Sequence, residues 1–195
     1  DISQYLYENK SFKSKELHYD GIITEYKQLY TDTLKPTQKS LDIINSLVGT
    51  NTTTNIIGIQ IRTGDKYMTG SDHQIFDDPE TQIYELFLLI KSQQPSQQSY
   101  RVFITSDYVG CYAIATKVWN SGQIIYYDEV IEHIDKPTDK NNNIPTGIAK
   151  MYIDNYILSQ CTSRLYISDY SNYGRIAGLS CKHGDVYDLY GTRVN

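Results

Sequence analysis

From residue 55 onward, short apolar runs rich in β-branched residues alternate with longer amphipathic stretches. Four such runs cover residues 56–61, 101–105, 123–127 and 164–168. This alternation is typical of βα units that feed a parallel sheet, and right-handed crossovers would stack the strands into an open sheet. We therefore predict an α/β fold with a Rossmann-like open parallel sheet of four strands.

Helix signals lie between these runs. Asp78 can cap a helix and Pro79 suits its first turn, and apolar residues recur behind them at helical spacing: Ile83, Phe87 and Ile90. Further helices are predicted over 36–48, through Ala113, Ala115 and Val118, around 149–160 and over 172–181. Residues 1–33 lack clear periodicity, so we interpret them as the edge of a preceding domain or as segments packed around the sheet. Residues 34–195 form the predicted Rossmann-like domain.

Composition excludes several classes of function. A chain of 195 residues with 39% hydrophobic residues can bury the core of one domain. Its formal charge of -5 and pI of about 5.3 argue against nucleic acid as a partner, because that binding depends on clustered Lys and Arg.

No apolar run approaches the ~20 residues of a membrane span. The sequence starts at Asp1 without a signal-peptide pattern, so we expect a soluble mature fragment or an excised domain.

Cysteine and histidine spacing gives no sign of a metal or redox site. Cys111, Cys161 and Cys181 form no closely spaced pair, and the four histidines are scattered. We expect no metal and no cofactor. Buried free thiols are the favoured interpretation of the cysteines, and one disulfide with one free thiol is the alternative.

Polar residues follow the predicted strands where such sheets bind ligands, outside the carboxyl ends of the strands. Arg62 comes directly after the first strand and could offer paired donors to a phosphate, and Gly64 would let the backbone approach closely. The alternative is that Arg62 pairs with Asp65 and only braces the loop. The glycine-rich dinucleotide and P-loop motifs and the Gly-x-Ser-x-Gly elbow are missing from the sequence, which leaves a phosphate site built on arginine.

Three ordered blocks resemble the GDP-fucose-dependent fucosyltransferases, the superfamily of core α1,6-fucosyltransferase, the rhizobial nodulation enzyme and the protein O-fucosyltransferases. Residues 57–66 (IGIQIRTGDK) resemble their His-x-Arg-Arg-x-Asp segment, and residues 102–107 (VFITSD) their strand ending in Thr-Asp-Asp or Ser-Asp-Asp. Residues 152–161 (YIDNYILSQC) resemble their Asp-x-x-x-Leu-Ser-x-Cys helix. This third block continues into residues 165–175 (LYISDYSNYGR), which are similar to the strand and Ser-Ser-x-x-x-Arg that follow that helix in the family.

The resemblance covers about residues 55–180 and implies the donor-binding half of a GT-B glycosyltransferase. It implies inverting, metal-independent transfer of fucose or a related sugar from a GDP-sugar to a glycan or protein acceptor. A GT-B transferase closes two such domains around its substrates. The resemblance therefore also implies an acceptor-binding domain elsewhere.

Site roles follow from the resemblance position by position. Arg62 would bind the donor β-phosphate and stabilise charge on the departing nucleotide, which is electrostatic catalysis. Asp154 would accept from the guanine edge, Ser171 would donate to a phosphate, and Arg175 would brace the helix entrance. Asp107 would order the loops or the ribose, with a helix N-cap as the alternative.

The remaining positions of the motifs depart from the family pattern or leave a role open. Gln60 replaces the usual histidine, Thr63 replaces the second arginine and Tyr170 replaces the first serine of the family pattern. All three lie at positions where contacts with the nucleotide sugar are expected. Asp72 is the nearest candidate for a general base, while Asp65 is better suited to organising the loop of the donor site.

These departures keep two further hypotheses open. The first is a degenerate module that has the glycosyltransferase fold and binds nucleotide or sugar without turnover. The second is a different Rossmann-like phosphate enzyme that has converged on the same pattern.

Overall fold

Parallel strands form the centre of the molecule. The computed structural model describes residues 28, 30, 32–33, 35–50, 55–64, 75–95, 99–129, 146–169, 171–182 and 185–194. These residues contain five strands: β1 (Ile56–Ile61), β2 (Arg101–Ser106), β3 (Ile124–Ile125), β4 (Arg164–Ile167) and β5 (Val186–Asp188). They form one sheet in the order β3-β2-β1-β4-β5, and every neighbouring pair is parallel. The predicted α/β fold with a Rossmann-like sheet is confirmed.

Helices connect the strands. In the described residues they are α1 (Gln38–Val48), α2 (Pro79–Ser92), α3 (Cys111–Ala115), α4 (Thr146–Tyr156) and α5 (Asn172–Leu179). A π-helical segment, Ile157–Cys161, continues α4, and a 3-10 turn, Ser121–Gln123, precedes β3. The predicted start of α2 is confirmed, because the Asp78 side chain accepts from Thr81 N at 3.3 Å.

Both faces of the sheet are covered, which explains why β1 is buried along its whole length. Alternate residues of a strand project to opposite faces. Ile57, Ile59 and Ile61 belong to the core that contains the buried residues of α2 and α3. Ile56 belongs to the second core, which contains buried residues of α1, α4 and α5. Gly58 faces this second core, where an added Cβ would lie 2.7 Å from Thr162 Cγ2, so the glycine is required for close packing.

The strand order creates a switch point beside β1. Its neighbour on one side is β2, the next strand along the chain, and on the other side is β4. In open α/β sheets, ligands bind outside the carboxyl ends of the strands where the order reverses in this way. The loops after Ile61 and Ile167 therefore flank the position at which this fold binds ligands.

Several predicted element bounds were wrong. The sheet has a fifth strand, β5, that was not predicted. It is a run of only three residues, which pairs with β4 at the edge of the sheet. The third apolar run pairs with β2 over two residues instead of five, since it lies at the other edge. The helix predicted around 149–160 begins at Thr146 and changes to π geometry at Ile157. The helix predicted through Val118 ends at Ala115.

The segment before α1 is described at only four positions up to residue 33. One of them, Tyr30, is buried and donates from its hydroxyl to Asn155 Oδ1 at 2.6 Å, so this residue packs against α4. The proposed boundary between residues 33 and 34 stays a prediction.

Two other expectations concern the cysteines and membrane spans. The three cysteines are free thiols, as the favoured interpretation predicted; Cys111 and Cys181 are buried as expected, whereas Cys161 is only half-buried. Among the described helices, none has the length and apolarity needed to cross a bilayer.

Candidate functional site

Asp107 organises the loop that follows β1. Its Oδ1 accepts from Thr63 N at 2.7 Å and from Thr63 Oγ1 at 2.8 Å, and its Oδ2 accepts from Gly64 N at 3.2 Å. Gly64 has a φ of 107°, a backbone conformation that favours glycine. The alternative of Asp107 as a helix cap is wrong, because the N-cap of α3 is Gly110 and has no side-chain capping bond.

Arg62 lies between this carboxylate and the end of β4. Its Nη1 is 3.1 Å from Asp107 Oδ2, and its side chain remains 25% exposed. Its backbone N donates to Ser168 Oγ at 2.8 Å. The alternative partner, Asp65, lies outside the described residues. A guanidinium carries five N–H donors in a planar fork, a geometry that matches the oxygens of a carboxylate or a phosphate.

Gln60 holds the ends of β1 and β4 together. Ser168 N donates to Gln60 O at 3.2 Å and to Gln60 Oε1 at 3.3 Å. The Gln60 side chain packs directly against Gly174 in α5, where an added Cβ would collide with Oε1. Gln60 is only 4% exposed, and Thr63 is fully buried. Both side chains, which were expected to contact a nucleotide sugar, are therefore buried and bonded to protein groups in this structure.

The first turn of α5 faces the same edge of the sheet. Ser171 is its N-cap and accepts from Gly174 N at 3.1 Å. Helix geometry leaves the N–H groups of Asn172 and Tyr173 without acceptors in the helix, which favours an anion at this end. Arg175 donates from Nη2 to Asp169 O at 2.6 Å, so it braces the loop that leads into α5.

Asp154 is buried on the side of the sheet covered by α4. Its Oδ2 accepts from Thr105 Oγ1 at 2.8 Å and from Lys150 Nζ at 2.9 Å. Its Oδ1 is buried without a hydrogen-bond partner among the described residues. Burial raises the pKa of Asp154 to about 6, although the Lys150 ammonium favours the charged form.

The structure brings together several of the predicted residues and links others to them. Arg62, Thr63 and Asp107 are in direct contact, and Gln60 is joined to Arg62 through Ser168. Asp154 joins the same region through Thr105, which pairs with Gln60 in the β1–β2 register. Asp65, Asp72 and Tyr170 lie outside the described residues.

Sequence reasoning missed three residues of this region. Ser168 directly follows a strand, so the rule that ligands bind at strand ends could have found it. Lys150 lies four residues before Asp154, the spacing at which charges meet on a helix. Thr105 is the last residue of the predicted second strand, and only the strand register shows that it meets α4.

In the described part of the chain, no three His, Cys, Asp or Glu side chains are grouped as metal ligands would be.

Comparisons with solved structures identify similar folds. A crystal structure of NodZ α-1,6-fucosyltransferase soaked with GDP-fucose matches at a TM-score of 0.52 and 16% identity, over 75% of this chain and 43% of that chain. The same enzyme co-crystallised with GDP matches at 0.51 and 15%, over 74% and 42%. The NodZ fucosyltransferase from Bradyrhizobium matches at 0.50 and 16%, over 74% and 43%.

The chain thus matches less than half of the length of these fucosyltransferases. No protein-family model and no curated protein matches the sequence. At these identities the likeness concerns the fold, and it is consistent with the strand order and the switch point described above. The chain therefore has a Rossmann-like α/β fold similar to part of the NodZ fucosyltransferase structures.

Proposed function

We propose that the chain is the nucleotide-sugar-binding part of a glycosyltransferase that transfers fucose, or a related sugar, from a GDP-sugar to a glycan or protein acceptor. The transfer would be inverting and would need no metal ion. The observation that carries this proposal is the position of Arg62, which lies at the switch point of the sheet with Asp107 on one side and the end of β4 on the other.

This position suits a diphosphate. Asp107 engages the guanidinium at Nη1 and also fixes the loop through Thr63 and Gly64. The positive charge of Arg62 then lies at the edge of the sheet where a phosphate would bind, with the first turn of α5 as a second source of positive potential. As the sugar leaves, negative charge grows on the β-phosphate, and prearranged donors stabilise that charge.

The other residues have supporting roles in this proposal. Ser171 would donate its hydroxyl proton to a phosphate while its oxygen accepts from Gly174 N. Asp154 would accept from the guanine edge, and Asp107 would order the loop around the donor. Asp72 is the proposed general base for the acceptor hydroxyl, and Asp65 and Tyr170 would complete the loops around the donor.

Two kinds of observation support the donor. Two of the matched NodZ structures were obtained with GDP-fucose or GDP, so this fold can bind that nucleotide in other proteins. The three sequence blocks that resemble GDP-fucose-dependent enzymes supply Arg62, Asp107, Asp154 and Ser171, and all four lie at or near the carboxyl edge of the sheet.

A second candidate is a module that binds nucleotide or sugar without turnover. It is favoured by the burial of Gln60 and Thr63, which stand where the resembling enzymes carry a histidine and a second arginine. In this structure both side chains bond to neighbouring protein groups.

An assay of GDP-fucose hydrolysis, in which the release of free fucose is measured, separates the two candidates. The enzyme proposal expects measurable hydrolysis that falls on the order of a hundredfold in Arg62→Ala. Arg193→Ala is the matched control, because it removes an arginine from an exposed ion pair with Asp185. GDP binding without hydrolysis in the wild type would favour the module, and equal rates in wild type and Arg62→Ala would remove Arg62 from the mechanism.

A further inference from the structure

Ser168 directly follows β4 and bonds to three residues of the candidate site, each through a different group. Its backbone N donates to Gln60 O at 3.2 Å, and its hydroxyl oxygen accepts from Arg62 N at 2.8 Å. Its carbonyl oxygen accepts from Ser171 N at 3.1 Å. Ser168 is only 4% exposed. Because its polar groups bond to protein atoms, we expect the residue to act on a ligand through its neighbours and not by contact.

The bond to Arg62 departs from regular strand pairing. In a parallel pair, alternate residues of one strand bond to the same neighbouring strand, each through its N–H and its carbonyl. Gln60 O accepts from Ser168 N, so the next bond of a regular ladder would run from Arg62 N to the Ser168 carbonyl. In the structure, Arg62 N donates to the Ser168 hydroxyl instead. Pairing of β1 with β4 by backbone bonds therefore ends at Gln60, and a side chain takes over at Arg62.

The carbonyl of Ser168 is directed to the loop that leads into α5. It accepts from the backbone N of Ser171, which is the N-cap of that helix. The chain thus turns away from β1 directly after β4, and strand pairing no longer fixes the backbone of Arg62. The hydroxyl of Ser168 decides where that backbone lies.

Arg62 is held at both of its ends. Its backbone N is held by Ser168 Oγ, and its Nη1 lies 3.1 Å from Asp107 Oδ2. The two anchors lie on either side of β1, because one follows β4 and the other follows β2. A long side chain that is fixed before a ligand arrives loses less conformational entropy on binding. Electrostatic stabilisation likewise depends on donors that are in place before charge develops.

We propose that Ser168 is a positioning residue of the donor site, whose hydroxyl holds the backbone of Arg62 so that the guanidinium meets the diphosphate at a fixed place. The proposal rests on the function proposed above, since the diphosphate is the ligand that Arg62 would bind. Threonine could replace the serine, because the required group is a hydroxyl on Cβ. Alanine could not, because Arg62 N would lose the side-chain acceptor that holds it.

A double-mutant cycle, measured by calorimetric titration of GDP at pH 7.5, tests this role. Ser168→Ala should bind GDP about fivefold more weakly than the wild type, and Ser168→Thr should stay within about twofold of the wild type. In an Arg62→Ala background, Ser168→Ala should cause no further loss, because the hydroxyl acts through the Arg62 side chain. An equal loss in both backgrounds is the result of a purely structural contact and would overturn the inference.

Ser163→Ala is the matched control. Ser163 precedes β4, and its hydroxyl bonds to the Asn55 side chain and to Ile56 O at the start of β1. The variant therefore loosens the same pair of strands at the end away from the site, and its GDP affinity should equal that of the wild type. If Ser163→Ala weakens GDP binding as much as Ser168→Ala does, general loosening of the sheet is the cause and the inference fails.

The remaining outcomes separate the inference from the proposed function. Equal GDP affinity in Ser168→Ala and the wild type would overturn the inference while the proposed function stands. If the wild type binds no GDP, or if Arg62→Ala binds it equally well, the proposed role of Arg62 fails and the inference fails with it. If Ser168→Ala does not fold, Ser168→Cys takes its place in the cycle with the same expected and contradicting results, because a thiol is a weak acceptor.

Discussion

Arg62 Nη1 lies 3.1 Å from Asp107 Oδ2, so an arginine that follows β1 is paired with a carboxylate that follows β2. The two residues differ in their other contacts and in their burial. Asp107 also accepts from Thr63 N, Thr63 Oγ1 and Gly64 N, whereas the Arg62 side chain stays partly exposed. Changes at Asp107 should therefore alter stability and ligand binding together, and changes at Arg62 should act mainly on binding.

Asp107→Ala is expected to lower the free energy of unfolding by about 2–4 kcal/mol, because three buried donors and the Arg62 guanidinium lose their acceptor at once. Urea unfolding measures the change. Asp185→Ala is the control, since it removes a carboxylate from an exposed ion pair with Arg193 and should cost less than about 1 kcal/mol. An equal cost for the two variants would contradict the role given to Asp107.

Ser171→Ala removes the N-cap of α5 and should cost about 1 kcal/mol of stability. Thr37→Ala is a matched control, because Thr37 caps α1 through Ser40 N in the same way. Thermal unfolding should show similar losses for the two variants. Only Ser171→Ala should also weaken GDP binding, and GDP binding that is unchanged in both variants would restrict Ser171 to a capping role.

Gly174→Ala should destabilise the fold by about 1–3 kcal/mol, because the added methyl group collides with Gln60 Oε1 and lies 3.2 Å from Ile167 Cβ. Gly122→Ala is the control, since no atom lies within 4 Å of its added Cβ. Adding Gln60→Ala to Gly174→Ala should restore part of the loss in urea unfolding. If the double variant is as unstable as the two single losses combined, the contact with Gln60 is not the cause.

The pH dependence of stability should carry the signature of Asp154. Burial raises its pKa from 3.8 to about 6, so between those values the folded protein keeps a proton that the unfolded chain releases. Its contribution to stability is therefore complete below pH 3.8 and is lost as the pH rises through 6. A shift of this size corresponds to on the order of 3 kcal/mol.

Asp154→Asn lacks this titration and provides the measurement. Relative to the variant, the wild type should become less stable by that amount between pH 4 and pH 7 in urea unfolding. If the wild type instead gains stability over the variant as the pH rises, the Lys150 ion pair outweighs burial and the pKa is lowered.

Much of the fold could be predicted from local pattern. The bounds of β1 and the start of α2 followed from an apolar run and from the Asp78-Pro79 capping pattern, both of which act within a few residues. The fifth strand could not be found in this way. Its three residues become a strand only because β4 provides the hydrogen-bond partners.

The candidate site was less accessible to sequence reasoning because its contacts join residues far apart in the chain. The strand-end rule found Arg62 and Asp107, but their pairing depends on the β1–β2 register. Lys150 was missed because a lysine on an amphipathic helix is usually solvated, and its burial depends on Tyr126 and Tyr127 after β3. The π-helical segment after Tyr156 was also not predicted. It packs closely against Gly58, which is a contact between segments far apart in the chain.

The most direct test of the proposed donor site is isothermal titration of GDP into wild type, Arg62→Ala, Arg62→Lys and Arg193→Ala at pH 7.5. We predict one saturable site in the wild type, at least tenfold weaker binding in Arg62→Ala, partial recovery in Arg62→Lys, which keeps the charge but loses the planar fork, and no change in Arg193→Ala. The absence of binding at millimolar GDP, or equal affinity in wild type and Arg62→Ala, would contradict the proposal that Arg62 binds the diphosphate.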